Sequence, residues 1–479
     1  MQRKFVTNLA LLLFLNLLIK PFWILGIDRA VQNHVGSEIY GSYYALFNFS
    51  FLLNILLDLG ITNFNNKNIA QNNHLVEKHL SSIILLKVML SVVYIVVTIL
   101  CGLFIGYTMH QASLLFVLAG NQILISFILY LRSNLSGLHL FKTDSFISVL
   151  DRLIMISICG VLLWSDIANH EIKMEWFIYA QSCAYFLTAL ITLVIVMDRA
   201  KLKRLKWSFS FFMIILKQSY PFAILVLLMT FYNRIDTVML ERMLPDGARQ
   251  SGIYASAYRM LDATNMIAFL FAGLLLPIFA KMIKQKESVE EMVKLSASLL
   301  IVPAIIIAFG SFAYREEIMG MLYHEHIEES AQVFGRLMFC FIAISTTYIF
   351  GTLLTANGNL KELNIIACSG MFINIVLNFI LIPTERAAGS SFSSLTTQFL
   401  TALSQVIMVQ YLFKFKINYR FLFSLVVFAG AVGGIELYSK NLSSNWVISF
   451  TVATSVCFLL AFTARLISIR SLIQIIKHG

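Results

Sequence analysis

The chain has 479 residues, of which 59% are hydrophobic and only 13% charged, and its formal net charge is +11. A water-soluble chain carries about 25% charged residues, so an ordinary soluble fold is excluded. Long apolar runs in place of short alternating segments exclude a transmembrane barrel, which leaves an all-α polytopic membrane protein.

Windows of about 20 mainly apolar residues predict about 14 membrane spans. They begin near Thr7, Ser42, Leu80, Ser113, Ile147, Trp176, Tyr220, Gly252, Val293, Val333, Leu363, Ser391, Phe421 and Trp446. The N-terminal MQRK and the apolar run after it resemble a secretory signal. No small-residue cleavage site follows, and Asn16 and Lys20 interrupt the run, so it reads as a retained first span. Ahead of the seventh span, Trp207 to Lys217 reads as an amphipathic lead-in on the membrane surface. Pro221 then falls in that span's first turn, where its missing N–H breaks no helical bond.

Lys and Arg in short loops set the orientation. With the N-terminus inside, most of the 36 basic residues fall in cytoplasmic segments, and RAKLKRLK (Arg199 to Lys206) alone carries five. Both termini are therefore expected on the cytoplasmic side. The basic excess reads as this topology signal plus attraction to anionic lipid heads. No basic stripe interleaves with aromatics on a soluble module, so no nucleic-acid partner is expected. The six cysteines lie in spans or at their edges and read as packing residues, with no metal or disulfide spacing.

An internal repeat organises the chain. YGSYYAL (Tyr40–Leu46) matches YASAYRM (Tyr254–Met260) at Tyr, Ser and Tyr, 214 positions on. A weaker match sets SGLHLFK (Ser136–Lys142) against NGNLK (Asn357–Lys361). The expected organisation is a six-helix lobe over 1–206, a second over 207–416, and two further helices with a cytoplasmic tail over 417–479. Two lobes of six spans share one orientation, which implies a pseudo-two-fold axis along the membrane normal.

No catalytic constellation emerges. There is no Walker loop, no GxGxxG opening a βαβ unit and no HExxH. His324-Glu325-His326 reads as a solvated external turn, not a metal site. The longest external loop, Ala313 to Gln332, offers little material for an active site. The chain is read as a non-enzyme without a metal or organic cofactor.

Charges inside spans are the informative residues, because each is costly there and faces a bundle interior or a wet cavity. The candidates for substrate contact are Lys20, Lys87, Arg152, Arg234, Arg259 and Arg336. The acidic candidates are Asp58, Asp236 and Asp262. Basic residues predominate, and arginine holds phosphate oxygens in a two-pronged fork, so an anionic cargo is favoured. Lys87 and Arg336 lie near enough to a boundary to snorkel, and Asp58, Asp151 and Arg152 near enough to be interfacial. Lys20 has Asn16 one turn earlier on its face. Arg259 and Asp262 are three apart and share a face. Arg234 and Asp236 are about 200° apart around the helix, so they cannot both line one cavity, and either can be the one that does.

Three stretches carry a family resemblance. They are YGSYYALFNFSFLLNILLDLGI (Tyr40–Ile61), SYPFAILVLLMTFYNRIDTVML (Ser219–Leu240) with GIYASAYRMLDA (Gly252–Ala263), and GTLLTANGNLKELNIIACSGMFINIVLNFILIP (Gly351–Pro383). They resemble the polysaccharide transporter family, the Wzx-type flippases of the multidrug/oligosaccharidyl-lipid/polysaccharide (MOP) superfamily. One departure is TERAAGSSFSS after LIP, with Glu385 and Arg386 where the family often has a small Gly/Ala-rich turn. The resemblance implies transfer of an undecaprenyl-pyrophosphate-linked oligosaccharide, such as an O-antigen or capsule unit, to the outer leaflet of a bacterial inner membrane. It also implies alternating access, coupling to Na+ or H+ at Asp236, Asp262 or Asp58, and partnership with membrane lipids and other polysaccharide-assembly proteins. The competing readings are a lipid-linked peptidoglycan precursor flippase, a drug/cation antiporter, and a membrane glycan polymerase or ligase.

Overall fold

The computed structural model describes residues 14–62, 75–138, 140–165, 173–200, 209–415, 418–442 and 445–467, together with 11, 65 and 69. Thr7, Trp207, Lys201 to Lys206 and both chain ends lie outside them. The described residues form helices and connecting turns, with no strand among them.

The helices follow in chain order as α1 (14–35), α2 (Ser37–Leu52), α3 (Leu75–Ile105), α4 (Met109–Gly137), α5 (Phe141–Trp164), α6 (Met174–Ala200), α7 (Phe209–Met243), α8 (Gly247–Lys284) and α9 (Glu290–Ala313). A short helix, Arg315–Leu322, precedes α10 (Ile327–Asn357). Then come α11 (360–385), α12 (387–413), α13 (Tyr419–Ser439) and α14 (Trp446–Thr463). Every expected span start from Ser42 onward falls inside the corresponding helix.

Local chemistry sets several ends. Thr108 and Gln111 cap the start of α4 reciprocally. Asn418 and Asn445 each accept a backbone N–H at the start of α13 and α14. Gly358, at φ 85°, ends α10 in the left-handed conformation that glycine adopts without cost. The expected surface lead-in is no separate element, because its described part forms the first turns of α7.

Two helices are interrupted inside the apolar run. In α1 the backbone widens to a π-helix over Trp23–Asp28. After α2, a 3-10 turn at Asn54–Leu57 and a bend at Asp58–Gly60 break the second span before helix resumes at Ile61.

The helical run Leu360–Phe413 contains 54 residues. At 1.5 Å per residue it would extend about 80 Å if straight, against about 30 Å of hydrocarbon. It folds back at Arg386 (φ 55°, ψ −133°). A Cβ at Gly389 would lie 2.5 Å from the Leu381 carbonyl oxygen, so the turn closes only on glycine. The departure TERAAG is thus a tight helical hairpin.

The chain divides into two compact units, Met1–Glu241 and Arg242–Gly479. The sequence-based boundary lies at 206/207. In the first unit α4 packs against α2, α3, α5 and α6. Its core joins Leu80, Ile83 and Leu86 to Tyr130, Leu131, Leu135 and Ile147. Helix α7 docks on α2 through Asn48, which donates to Thr237 at 2.9 Å. In the second unit α10 is central, packed by α8, α9 and the α11–α12 hairpin, while α13 and α14 lie on α9.

Lipid is as apolar as leucine, so close packing and interhelical hydrogen bonds hold such bundles together, about 0.6 kcal/mol per bond. Buried polar residues line α12 accordingly, among them Ser390, Ser394, Thr397, Thr401 and Gln405. Tyr254 of α8 bonds Ser394 at 3.2 Å.

The repeat has a structural counterpart. Tyr40 and Tyr44 stack at 6.1 Å in α2, and Tyr254 and Tyr258 stack at 5.7 Å in α8. These are the matched tyrosines, in the second and eighth helices.

Candidate functional site

In the first unit, α1 and α5 bring two of the expected cations together. Asn16 donates to Ser148 at 2.9 Å. One turn further along each helix stand Lys20 and Arg152, whose charges interact. The four-residue spacing of both pairs is one helical turn, so the contact face is continuous. Asp151 and Arg132 are the other charges acting on Lys20.

The two cations are held differently. The Arg152 guanidinium donates to the Tyr185 hydroxyl at 2.9 Å and lies 5.7 Å from the Trp23 and Tyr185 ring centroids. Trp23 in turn stacks flat on Phe177 at 5.8 Å. Asp151 is 3.9 Å from Arg152, a loose pair. Arg132 is closed by Asp144 at 2.7 Å. Lys20 has no ion pair within 4.0 Å among the described residues. Three cations therefore face two carboxylates, leaving one positive charge over at a membrane-embedded position. Such a group can receive an anion's oxygens, with Asn16, Ser148 and Tyr185 as neutral polar neighbours.

The remaining candidates of the first unit have other partners. Lys87 is 3% exposed and donates to the Leu57 carbonyl at 3.0 Å, to Asp58 at 3.0 Å and to Ser126 at 2.9 Å. It satisfies the carbonyl that the break in the second span sets free. Asp58 also accepts from the backbone and hydroxyl of Thr62, capping the helix that resumes there. Arg234 faces α2, with its guanidinium 5.5 Å from the Phe51 ring and 3.5 Å from the Tyr44 hydroxyl. Thr237, three residues on, faces α2 as well. Asp236 lies on the other face of α7 and is 1% exposed. In the second unit Arg259 and Asp262 pair at 4.0 Å on one face of α8. Arg336 donates to the Ala388 carbonyl at 2.7 Å and pairs with Glu385 at 3.3 Å, clamping the α11–α12 hairpin.

Sequence reasoning passed over Asp28. It is 1% exposed, lies in the π-helical stretch of α1, and accepts from Tyr40 at 2.9 Å. The first helix runs on to Val35, so Asp28 lies within it, beyond the end of a window of about 20 residues opened at Thr7. The apolar run that restarts beyond Lys20 was the available signal.

The model of a family described as polysaccharide biosynthesis protein matches residues 7–283. No curated protein matches the chain. Among solved structures, the lipid II flippase MurJ in an inward closed conformation superposes with a TM-score of 0.72 at 12% identity, covering 95% of this chain and 98% of that one. An inward-facing multidrug resistance MATE family transporter of the MOP superfamily gives 0.62 at 12% identity, over 82% of this chain and 94% of that one. A MOP superfamily transporter from Pyrococcus furiosus, described by the reverse polarity of its binding pocket, gives 0.58 at 12% identity, over 86% and 96%. At such identities the likeness shows the fold alone. The family match covers more than half of the sequence, and the chain belongs to the polysaccharide biosynthesis protein family, built on the MOP transporter fold.

Proposed function

We propose that this protein flips an undecaprenyl-pyrophosphate-linked oligosaccharide from the inner to the outer leaflet of a bacterial inner membrane, by alternating access and with both termini cytoplasmic. The observation that carries this reading is Lys20, which has no ion pair within 4.0 Å among the described residues and stands beside Arg152 in a helix pair with polar side chains, one positive charge in excess of the neighbouring carboxylates. An excess positive charge at membrane depth is costly, and a pyrophosphate offsets the cost only while cargo is bound. The sugars then meet hydroxyl and amide groups, and the lipid tail stays in the bilayer. A cationic drug is disfavoured by the same excess charge. Coupling to Na+ or H+ is part of the proposal, and the buried Asp236 is the carboxylate to test first.

The test uses Lys20→Met, Lys20→Arg and Arg152→Met in cells that display the surface glycan. Losing one charge-assisted contact costs about 1.5–3 kcal/mol, which is roughly 10- to 150-fold. Both methionine variants are expected to lose surface glycan by at least about tenfold and to accumulate lipid-linked units on the inner leaflet, while Lys20→Arg retains export. Normal surface glycan in Lys20→Met refutes the assignment. Arrest of growth, in place of loss of surface glycan alone, would identify a lipid-linked peptidoglycan precursor as the cargo.

A further inference from the structure

The junction of α9, α13 and α14 contains a carboxyl group that neither the proposed cargo site nor the repeat explains. Glu436 lies in α13, and its residue exposure is 0%. It lies outside the residues matched by the family model. Among the described residues it has no ion pair. The nearest base in sequence, Lys440, pairs with Glu317 at 3.0 Å and lies 5.6 Å from the Tyr314 ring centroid.

The two carboxyl oxygens differ. Oε1 receives the Cys457 thiol of α14 at 3.8 Å. It also faces Gly310 of α9, where even a Cβ would come within 3.4 Å of it. Oε2 is buried and has no hydrogen-bond partner. The Thr454 hydroxyl of α14 borders the same carboxyl and is the second group able to donate to it. The other titratable group at the junction, Tyr314, is engaged with Ser439 at 2.5 Å. The Phe450 and Phe309 rings are set against Gly310 and Gly433 in the same packing.

An ionised carboxylate in this setting would have a weak thiol donor and the Thr454 hydroxyl but, among the described residues, no cation, and an uncompensated buried charge is expensive. The packing accommodates the neutral acid, with its proton on Oε2 and the thiol donating to the carbonyl oxygen Oε1. We propose that Glu436 is a proton-binding site within the α9–α13–α14 junction. Release of its proton requires the junction to admit water, or Lys440 to leave Glu317 and turn toward Glu436, one helical turn back. Proton occupancy at Glu436 is thereby linked to the packing of the last two helices on α9.

Infrared difference spectroscopy on the full-length protein in lipid tests this. The wild type is expected to show the C=O stretch of a protonated carboxylic acid that disappears reversibly as the pH is raised. That band is expected to be absent from Glu436→Gln, which keeps the shape of the neutral acid. In Cys457→Ala, where Oε1 loses its donor, the band shifts to higher frequency. Addition of Na+ at constant pH leaves it unchanged. A spectrum that neither substitution alters overturns the proposal. So does a band that Na+ abolishes at constant pH, which would make the group a metal-ion site.

Discussion

The prediction that separates a structural from a cargo-contacting role concerns Lys87. Replacing Lys87 with Met removes bonds to Leu57, Asp58 and Ser126. The Leu57 carbonyl then loses its charged donor at the break in the second span, and Asp58 loses its counter-ion. A hydrogen bond to a charged group contributes about 1.5–3 kcal/mol and an ordinary one about 1 kcal/mol. The Asp58 side chain is 26% exposed, so water recovers part of the loss. The expected destabilisation is about 3 kcal/mol, at the low end of the 3–5 kcal/mol range for breaking a fully buried pair. Unfolding of the purified protein in mixed micelles, titrated with denaturing detergent, measures it. The double variant Lys87→Met, Asp58→Asn removes the orphaned carboxylate and is expected to recover at least about 1 kcal/mol, with glycan export restored alongside stability. Additive single effects, or a Lys87→Met variant within about 0.5 kcal/mol of wild type, would refute the account of the break. Recovered stability without recovered export would give the Lys87–Asp58 pair a role in transport beyond closing the break.

Two further predictions concern the α11–α12 hairpin. Gly389→Ala places a methyl group 2.5 Å from a backbone oxygen, and overpacking of this kind costs about 1–3 kcal/mol or more; a variant as stable as wild type in the same titration would show that the hairpin is more open than described. Arg386→Gly relieves a positive φ of 55° and gives up the exposed Arg386–Asp246 pair at 3.6 Å. Strain relief of about 1 kcal/mol or more against about 0–1 kcal/mol for the pair predicts unchanged or slightly higher stability, and a clear loss would assign the pair the larger role.

The membrane class, the spans from Ser42 onward and the family were legible in the sequence, because burial in lipid demands long apolar runs and closed helices whatever their neighbours. The matched tyrosines were legible too, since the i and i+4 positions of one helix stack by local geometry alone. The partners of the charges were not. Lys87 meets a carbonyl freed by a break in another helix, Arg336 clamps a turn 52 residues later in sequence, and Glu436 is enclosed by α9 and α14. Asp28 escaped notice because the first helix continues through a π-helical stretch to Val35, past the end of the expected span. A sequence states which groups lie at membrane depth, since that depends on local hydropathy. Which of them are closed into ion pairs by their own fold and which, like Lys20, have no ion pair among the described residues depends on contacts between helices far apart in the chain, and only the tertiary structure decided it.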